Sequence, residues 1–373
     1  MTMSNKQNSV HEPLFHITKR SNNALPTAMA WVVRIVAVLI ALIVCGVVTV
    51  LLTGEDPIQV YATMIKGAVG SERKIWALAQ NTAILLCISL AVTPAFKMKF
   101  WNIGAEGQVL MGGLATTACM ILFSDSMPPW LFYPVMIITS IAAGAIWGLI
   151  PAFFKAHWNT NETLFTLMMN YIAMQIVSYF CYIWSVPKGS GHIGVINASS
   201  QIGWFPKIGG QAYLCNILIV VAITVFMYIY FKYSKHGYEI SVVGESENTA
   251  RYIGINVKKV ILRTMLLSGA VCGIAGLLLV SGTDHTITRD TAGGRGFTAI
   301  MVSWLAQFNP IYMIITSLLI SFLEKGAGQI STNFGLNDSF SEIITGIIIF
   351  FIIGSEFFIN YEIKFREKEA KTK

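Results

Sequence analysis

Residues 297–323 read FTAIMVSWLAQFNPIYMIITSLLISFL. The run is apolar enough for a lipid environment, but Asn309-Pro310 interrupts it. Proline removes a helix hydrogen bond and clashes with the preceding turn. The stretch is therefore either one kinked helix or two short legs of a hairpin. As a separate leg, Phe297–Phe308 would reach only about 18 Å, part of a bilayer. Charge decides between the two. With Lys6, Lys19 and Arg20 placed in the cytoplasm, two legs put eighteen of the 26 Lys and Arg residues on that side, including Lys364, Arg366, Lys368, Lys371 and Lys373. One kinked helix would carry those five tail cations outside, against the positive-inside pattern.

Working outward, further runs of membrane-spanning length are Ala30–Leu52, Ile75–Ala95, Ala105–Phe123, Leu131–Phe154, Thr163–Trp184, Tyr213–Phe231, Arg263–Ser281 and Glu342–Phe358. Crossing about 30 Å of hydrocarbon takes about 20 helical residues. The first run is longer than a signal-peptide core and no A-x-A site follows it, so it reads as a retained anchor, with Arg34 snorkelling to the interface. The expectation is an all-α polytopic membrane protein of about ten segments. It divides into a cytoplasmic tail (1–29), a membrane domain (30–358) and a basic cytoplasmic tail (359–373). Two sets of five segments would be inverted relative to each other, as in many transporters.

Composition agrees. The 373 residues are 54% apolar and 12% charged, with mean hydropathy +0.62. Soluble domains are about 25% charged. A soluble enzyme, a disordered chain and a nucleic-acid module are excluded, and the net charge of +7 reflects basic cytoplasmic loops. The six cysteines lie singly in or beside apolar runs, without metal or disulfide spacing. No P-loop, nucleophile arrangement or metal motif occurs, so catalytic and metal sites are expected to be absent.

Polar residues inside apolar runs are the candidate pathway. Phe96–Gly113 reads FKMKFWNIGAEGQVLMGG, in which Gly104 and Gly107 permit irregular backbone. Such backbone at membrane depth is tolerated only when buried in protein or lining a cavity. Asn102 would cap the following helix, and Glu106 would sit in its first turn or face a polar path. Asn81, Gln108, Asn170 and Gln307 are expected to face the bundle interior. Tyr171 and Trp304 would stack on a flat aromatic solute. Gly144–Gly148 and Gly269–Gly273 are GxxxG pairs for close helix packing. In the loop 232–263, Ser246 can open a short helix and Gly254 can end it. Such a helix is marginal alone and is expected to dock on something.

Five segments together resemble the permease subunits of ABC importers in the ribose and branched-chain amino acid permease superfamily, nucleoside-type branch. They are Phe100–Gln108 (FWNIGAEGQ), Asn161–Tyr171 (NETLFTLMMNY), Val243–Val257 (VGESENTARYIGINV), Ser268–Gly276 (SGAVCGIAG) and Gly294–Ile300 (GRGFTAI). Sugar permeases of the superfamily usually carry a GIDLSVG-like segment where NIGAEGQ stands. The family often has Asn-Pro and Ala-Ala where this chain has Glu245-Ser246 and Thr249-Ala250. The resemblance implies a multi-pass protein of the bacterial cytoplasmic membrane that pairs with a second, related permease chain. Two ATPase subunits would carry ATP and Mg and receive Gly244, Glu245, Ser246, Ala250, Arg251, Tyr252 and Gly254. An extracellular lipoprotein would deliver the solute, a purine nucleoside by this likeness, with riboflavin or a simple sugar as alternatives. No cofactor in this chain and no nucleic-acid partner is implied. An ion-coupled transporter or a channel is the competing class; the acids Glu106, Glu162, Glu342 and Glu356 near segment ends count against proton coupling.

Overall fold

The computed structural model describes residues 15–20, 27–54, 56–124 and 126–365. In chain order the elements are β1 (Phe15–Lys19), α1 (Thr27–Thr53), α2 (Pro57–Val69), α3 (Glu72–Lys97), α4 (Ala105–Leu122), α5 (Pro129–Trp158), α6 (Glu162–Ile183), α7 (Leu214–Tyr233), α8 (Lys235–Glu245), α9 (Glu247–Tyr252), α10 (Val257–Leu279), a π turn (Val280–Asp284), α11 (Arg295–Leu305), α12 (Pro310–Asn333), α13 (Asp338–Asn360) and β2 (Tyr361–Phe365). Among the described residues, nine helices are long and apolar enough to cross a membrane. The protein is an all-α polytopic membrane protein; the two short strands are its other regular element.

The chain breaks where the proline places the break. α11 ends at Leu305, and α12 starts on Pro310 itself, the first helical position, where the missing N–H costs nothing. α11 has eleven residues and reaches about 16 Å. α12 is not a short leg: it runs 24 residues, past Glu324 and Lys325, to Asn333.

Two compact units divide the chain, residues 64–326 and the two ends. In the larger unit α10 lies at the centre, against α3, α4 and α5. Glycine makes that closeness possible. A Cβ on Gly144 or Gly269 would run into the facing backbone of the other helix, and one on Gly148 would sit 2.9 Å from the Met265 carbonyl. Ser140 donates at this crossing to the carbonyls of Gly273 (2.7 Å) and Gly112 (3.1 Å), so α4, α5 and α10 meet around one hydroxyl. Both GxxxG pairs are packing surfaces.

In the smaller unit α1 packs on α13. Arg34 forms an ion pair with Glu356, in the last turns of α13, at 2.7 Å. The Tyr61 hydroxyl donates to the Leu42 carbonyl. β1 and β2 pair antiparallel, from Phe15↔Phe365 to Lys19↔Tyr361. The two described ends therefore lie together.

Candidate functional site

α3 ends at Lys97, and the next helix begins only at Ala105. Between them Phe100–Ile103 has no helical bonds and climbs back into the membrane. Its depth is fixed by Asn102, whose Nδ2 donates at 3.2 Å to Ser268. Ser268 lies eleven residues into α10, about 17 Å from its start.

Irregular backbone at this depth needs every polar group satisfied, and the NIGAEGQ side chains do that work. Asn102 Oδ1 accepts from Gly104 N at 3.0 Å. Asn102 thus shapes the turn before α4; the N-cap position is Gly104, and no side chain caps it. Thr166 Oγ1 accepts from Ile103 N at 3.2 Å. Asn170 donates to the Ile103 carbonyl and accepts from Gly107 N, both at 2.8 Å. A Cβ on Gly107 would lie 3.0 Å from that same Asn170 oxygen, which is why glycine stands there. Gln108 reaches Asn102 at 3.4 Å.

Glu106 is 2% exposed. It lies in the first turn of α4, but its carboxylate serves another helix. Oε1 accepts from Gly294 N and Oε2 from Gly296 N, each at 2.7 Å. The start of α11 therefore carries a cap borrowed from α4, and both helices begin side by side within the membrane. A carboxylate at a helix N-terminus is favoured by the exposed N–H groups and the dipole. α11 then follows α3. Arg295 Nη2 donates to Asn81 Oδ1 at 3.3 Å, and Ser303 donates to the Ser89 carbonyl at 2.9 Å.

At the far end of α11, Trp304 stacks on Trp101 with centroids 5.7 Å apart and planes at 28°. Phe96 and Phe308 pack edge-on around them. Trp101 is 46% exposed and Trp304 49%. Gln307 is exposed beside them. Tyr171 is on the outer face of α6, where Tyr171, Gln175 and Tyr179 line a shallow groove. The structure thus joins Asn102, Glu106, Gln108 and Asn170 into one bonded brace, sets Asn81 against Arg295, and leaves Tyr171, Trp304 and Gln307 on exposed faces.

The loop 232–263 holds two helices, not one. α9 has Ser246 as its N-cap, accepting from Thr249 N at 3.2 Å, and Gly254 just past its end at φ +86°. Ala250 is buried, whereas Tyr252 is 93% exposed. Glu247 and Arg251 pair at 3.3 Å on the helix surface, and Glu245 is exposed at its start. α8 comes before it, capped by Ser234. A Cβ on Gly244 would run into the Lys97 carbonyl, so α8 lies directly on the end of α3. Ile240, Val243 and Ala250 share a core with Met98 and Phe100. The loop and the re-entrant segment are one packed body.

The outer segment between α6 and α7 is built, not loose. Ile196 N bonds the His285 carbonyl at 2.8 Å, Phe205 N bonds the Ser281 carbonyl at 3.0 Å, and Trp204 stacks on His285 with centroids 3.7 Å apart. Burial under this segment holds the His285 imidazole below its ordinary range, with the Lys207 charge acting the same way.

Sequence reading passed over Trp101 and the adjacent pair Glu324–Lys325. Trp101 stood inside the quoted motif without a role. The two charges looked like the end of an apolar run.

Over residues 75–353 the chain matches the family described as the branched-chain amino acid transport system / permease component, and it belongs to that family. It is 29% identical to a glucose ABC transporter permease of Haloferax volcanii, over 91% of each chain. It is 28% identical to a guanosine ABC transporter permease of Bacillus subtilis, over 91% of this chain and 97% of that one. It is 29% identical to a nucleoside ABC transporter permease of Lactococcus lactis, over 82% and 86%. No solved structure matches it significantly. The chain is a multi-pass permease subunit of the cytoplasmic membrane. It is a transport component and not an enzyme, and ATP hydrolysis belongs to a separate subunit.

Proposed function

We propose that this permease imports nucleosides, purine nucleosides first, received from an extracellular binding lipoprotein. The observation that carries the reading is the stacked Trp101–Trp304 pair, half exposed at membrane depth and edged by phenylalanines. An indole face accepts a flat, uncharged base by offset stacking. The guanosine and nucleoside permeases among its relatives support the same choice. Gln175, Tyr171 and Tyr179 on the outer face of α6 would be costly against lipid. A second, related permease chain covers that face, and the pathway runs between the two. Two ATPase subunits, which bind ATP and Mg, dock on α9. Their closure reaches Trp101 through Ala250, Met98 and Phe100, the shared core below the re-entrant segment.

A sugar is the second reading, favoured by the glucose permease relative. Uptake of labelled guanosine, adenosine, uridine, ribose, glucose and riboflavin, with and without the gene, separates them. Deletion is expected to abolish ATP-dependent guanosine and adenosine uptake. Unchanged nucleoside uptake with lost glucose, ribose or riboflavin uptake would reject the substrate. Uptake indifferent to ATP depletion would reject the ATP-driven mechanism.

A further inference from the structure

At the other end of α11 lies a group of side chains that no role above uses. Arg295 Nη2 holds Asn81, while Nη1 bonds the carbonyls of Thr291 (3.4 Å) and Ala292 (3.5 Å). Asp284, the last residue of the π turn, and Glu324 and Lys325 of α12 lie near enough for their charges to act on Arg295. Yet none of Asp284, Glu324 and Lys325 closes an ion pair or a side-chain hydrogen bond among the described residues. Arg295 and Glu324 are half-buried, and Asp284 and Lys325 are exposed.

Behind them is a second, independent sign. Gln80 Nε2 donates to Thr283 Oγ1 at 2.6 Å, and Asn216 Nδ2 reaches the same hydroxyl at 3.5 Å. Gln80 and Asn216 are both fully buried, and the side-chain oxygen of each has no partner. Buried amide oxygens are normally satisfied.

The chemistry of the set narrows its ligand. Arg295 and Lys325 face Asp284 and Glu324; Glu106 also acts on Arg295, but its two oxygens are held by the Gly294 and Gly296 N–H groups, so among the groups left open an ion of either sign meets repulsion as well as attraction. A neutral ligand rich in hydroxyls meets none. Carboxylates and amide oxygens take hydroxyl protons, while Arg and Lys donate to hydroxyl oxygens. A vicinal diol offers both functions on adjacent carbons. We propose that Asp284, Glu324, Arg295 and Lys325, backed by Gln80 and Asn81, bind the ribose hydroxyls of the solute at the outer end of its path. This rests on the nucleoside reading and adds the part of the nucleoside that is held.

The test uses the full chain, co-purified with its partner subunits in lipid nanodiscs without the lipoprotein. Binding of labelled guanosine is measured against 2′,3′-dideoxyguanosine, guanine and free ribose. The wild type is expected to bind guanosine more tightly than the dideoxy analogue, by about tenfold or more, the worth of about one charge-assisted hydrogen bond. Glu324→Gln and Asp284→Asn each shrink that ratio and leave dideoxyguanosine binding unchanged; the second variant serves if the first does not fold. Equal binding of guanosine and dideoxyguanosine by the wild type overturns the diol site and leaves the nucleoside reading standing. Ribose binding without guanosine binding overturns the nucleoside reading and leaves the site. Absence of binding by any of the probes at millimolar concentration overturns the proposal, as does an unchanged ratio in both variants.

Discussion

Glu106 looks in sequence like a charge stranded in a membrane segment, and such a residue invites a role in transport. The structure spends it on backbone. Its two oxygens satisfy two N–H groups of another helix, each bond worth about 1.5–3 kcal/mol because the acceptor is charged. Glu106→Ala therefore costs about 3 kcal/mol or more, with two buried donors left open. Glu106→Gln keeps one good acceptor and is expected to fall between. Thermal unfolding in nanodiscs reads the order wild type, Gln, Ala; a Gln variant as stable as wild type removes the charge from the account. Asn170 belongs to the same class, since its amide clamps Ile103 and Gly107 at once. Sequence alone showed that these side chains are polar and face inward. It did not show that their partners are main-chain groups, because those partners come from segments up to 190 residues away.

At the scale of elements, what local chemistry encodes was legible and what tertiary contact encodes was not. Ser246 and Gly254 announce α9 by a cap and a left-handed stop. Asn309-Pro310 announces the break before α12. α8 had no such announcement. Its sequence KHGYEISVVGE carries two glycines, which weaken a helix reading, and Gly244 is there to let α8 meet the α3 carbonyl. The far half of α12 was missed for a related reason. Glu324 and Lys325 end an apolar count, yet the helix continues through them to Asn333. α9 also carries a prediction. Its six residues cannot hold a helix alone, and Tyr252 stands exposed on it, the side chain through which the proposed docking on an ATPase would act. Tyr252→Ala is expected to lower solute uptake about tenfold or more while surface expression stays normal, since removing a buried aromatic from an interface costs about 2 kcal/mol or more. Normal uptake would remove α9 from the coupling path.

For the whole molecule the decisive quantity is parity. Charge counting asks for an even number of crossings, and the pairing of β1 with β2 holds the two described ends together. In a variant with its own cysteines replaced, single cysteines at Ile17, Tyr252 and Lys188 test this with a membrane-impermeant maleimide. Ile17 and Tyr252 are expected to react from one side only, and Lys188 from the other. Labelling of Ile17 and Tyr252 from opposite sides would mean that the helices between them, α1 to α7, make an odd number of crossings.

The strand pair has one more consequence, which concerns time. β1 precedes α1 out of the ribosome, and β2 follows α13. Phe15 cannot meet Phe365 until every helix between them has been synthesised and inserted. A chain that stalls, or that inserts one helix the wrong way, keeps β1 single, with the open edge that proteases and chaperones recognise. The joined ends are thus a mark of completed biogenesis, written in backbone hydrogen bonds on one face of the membrane.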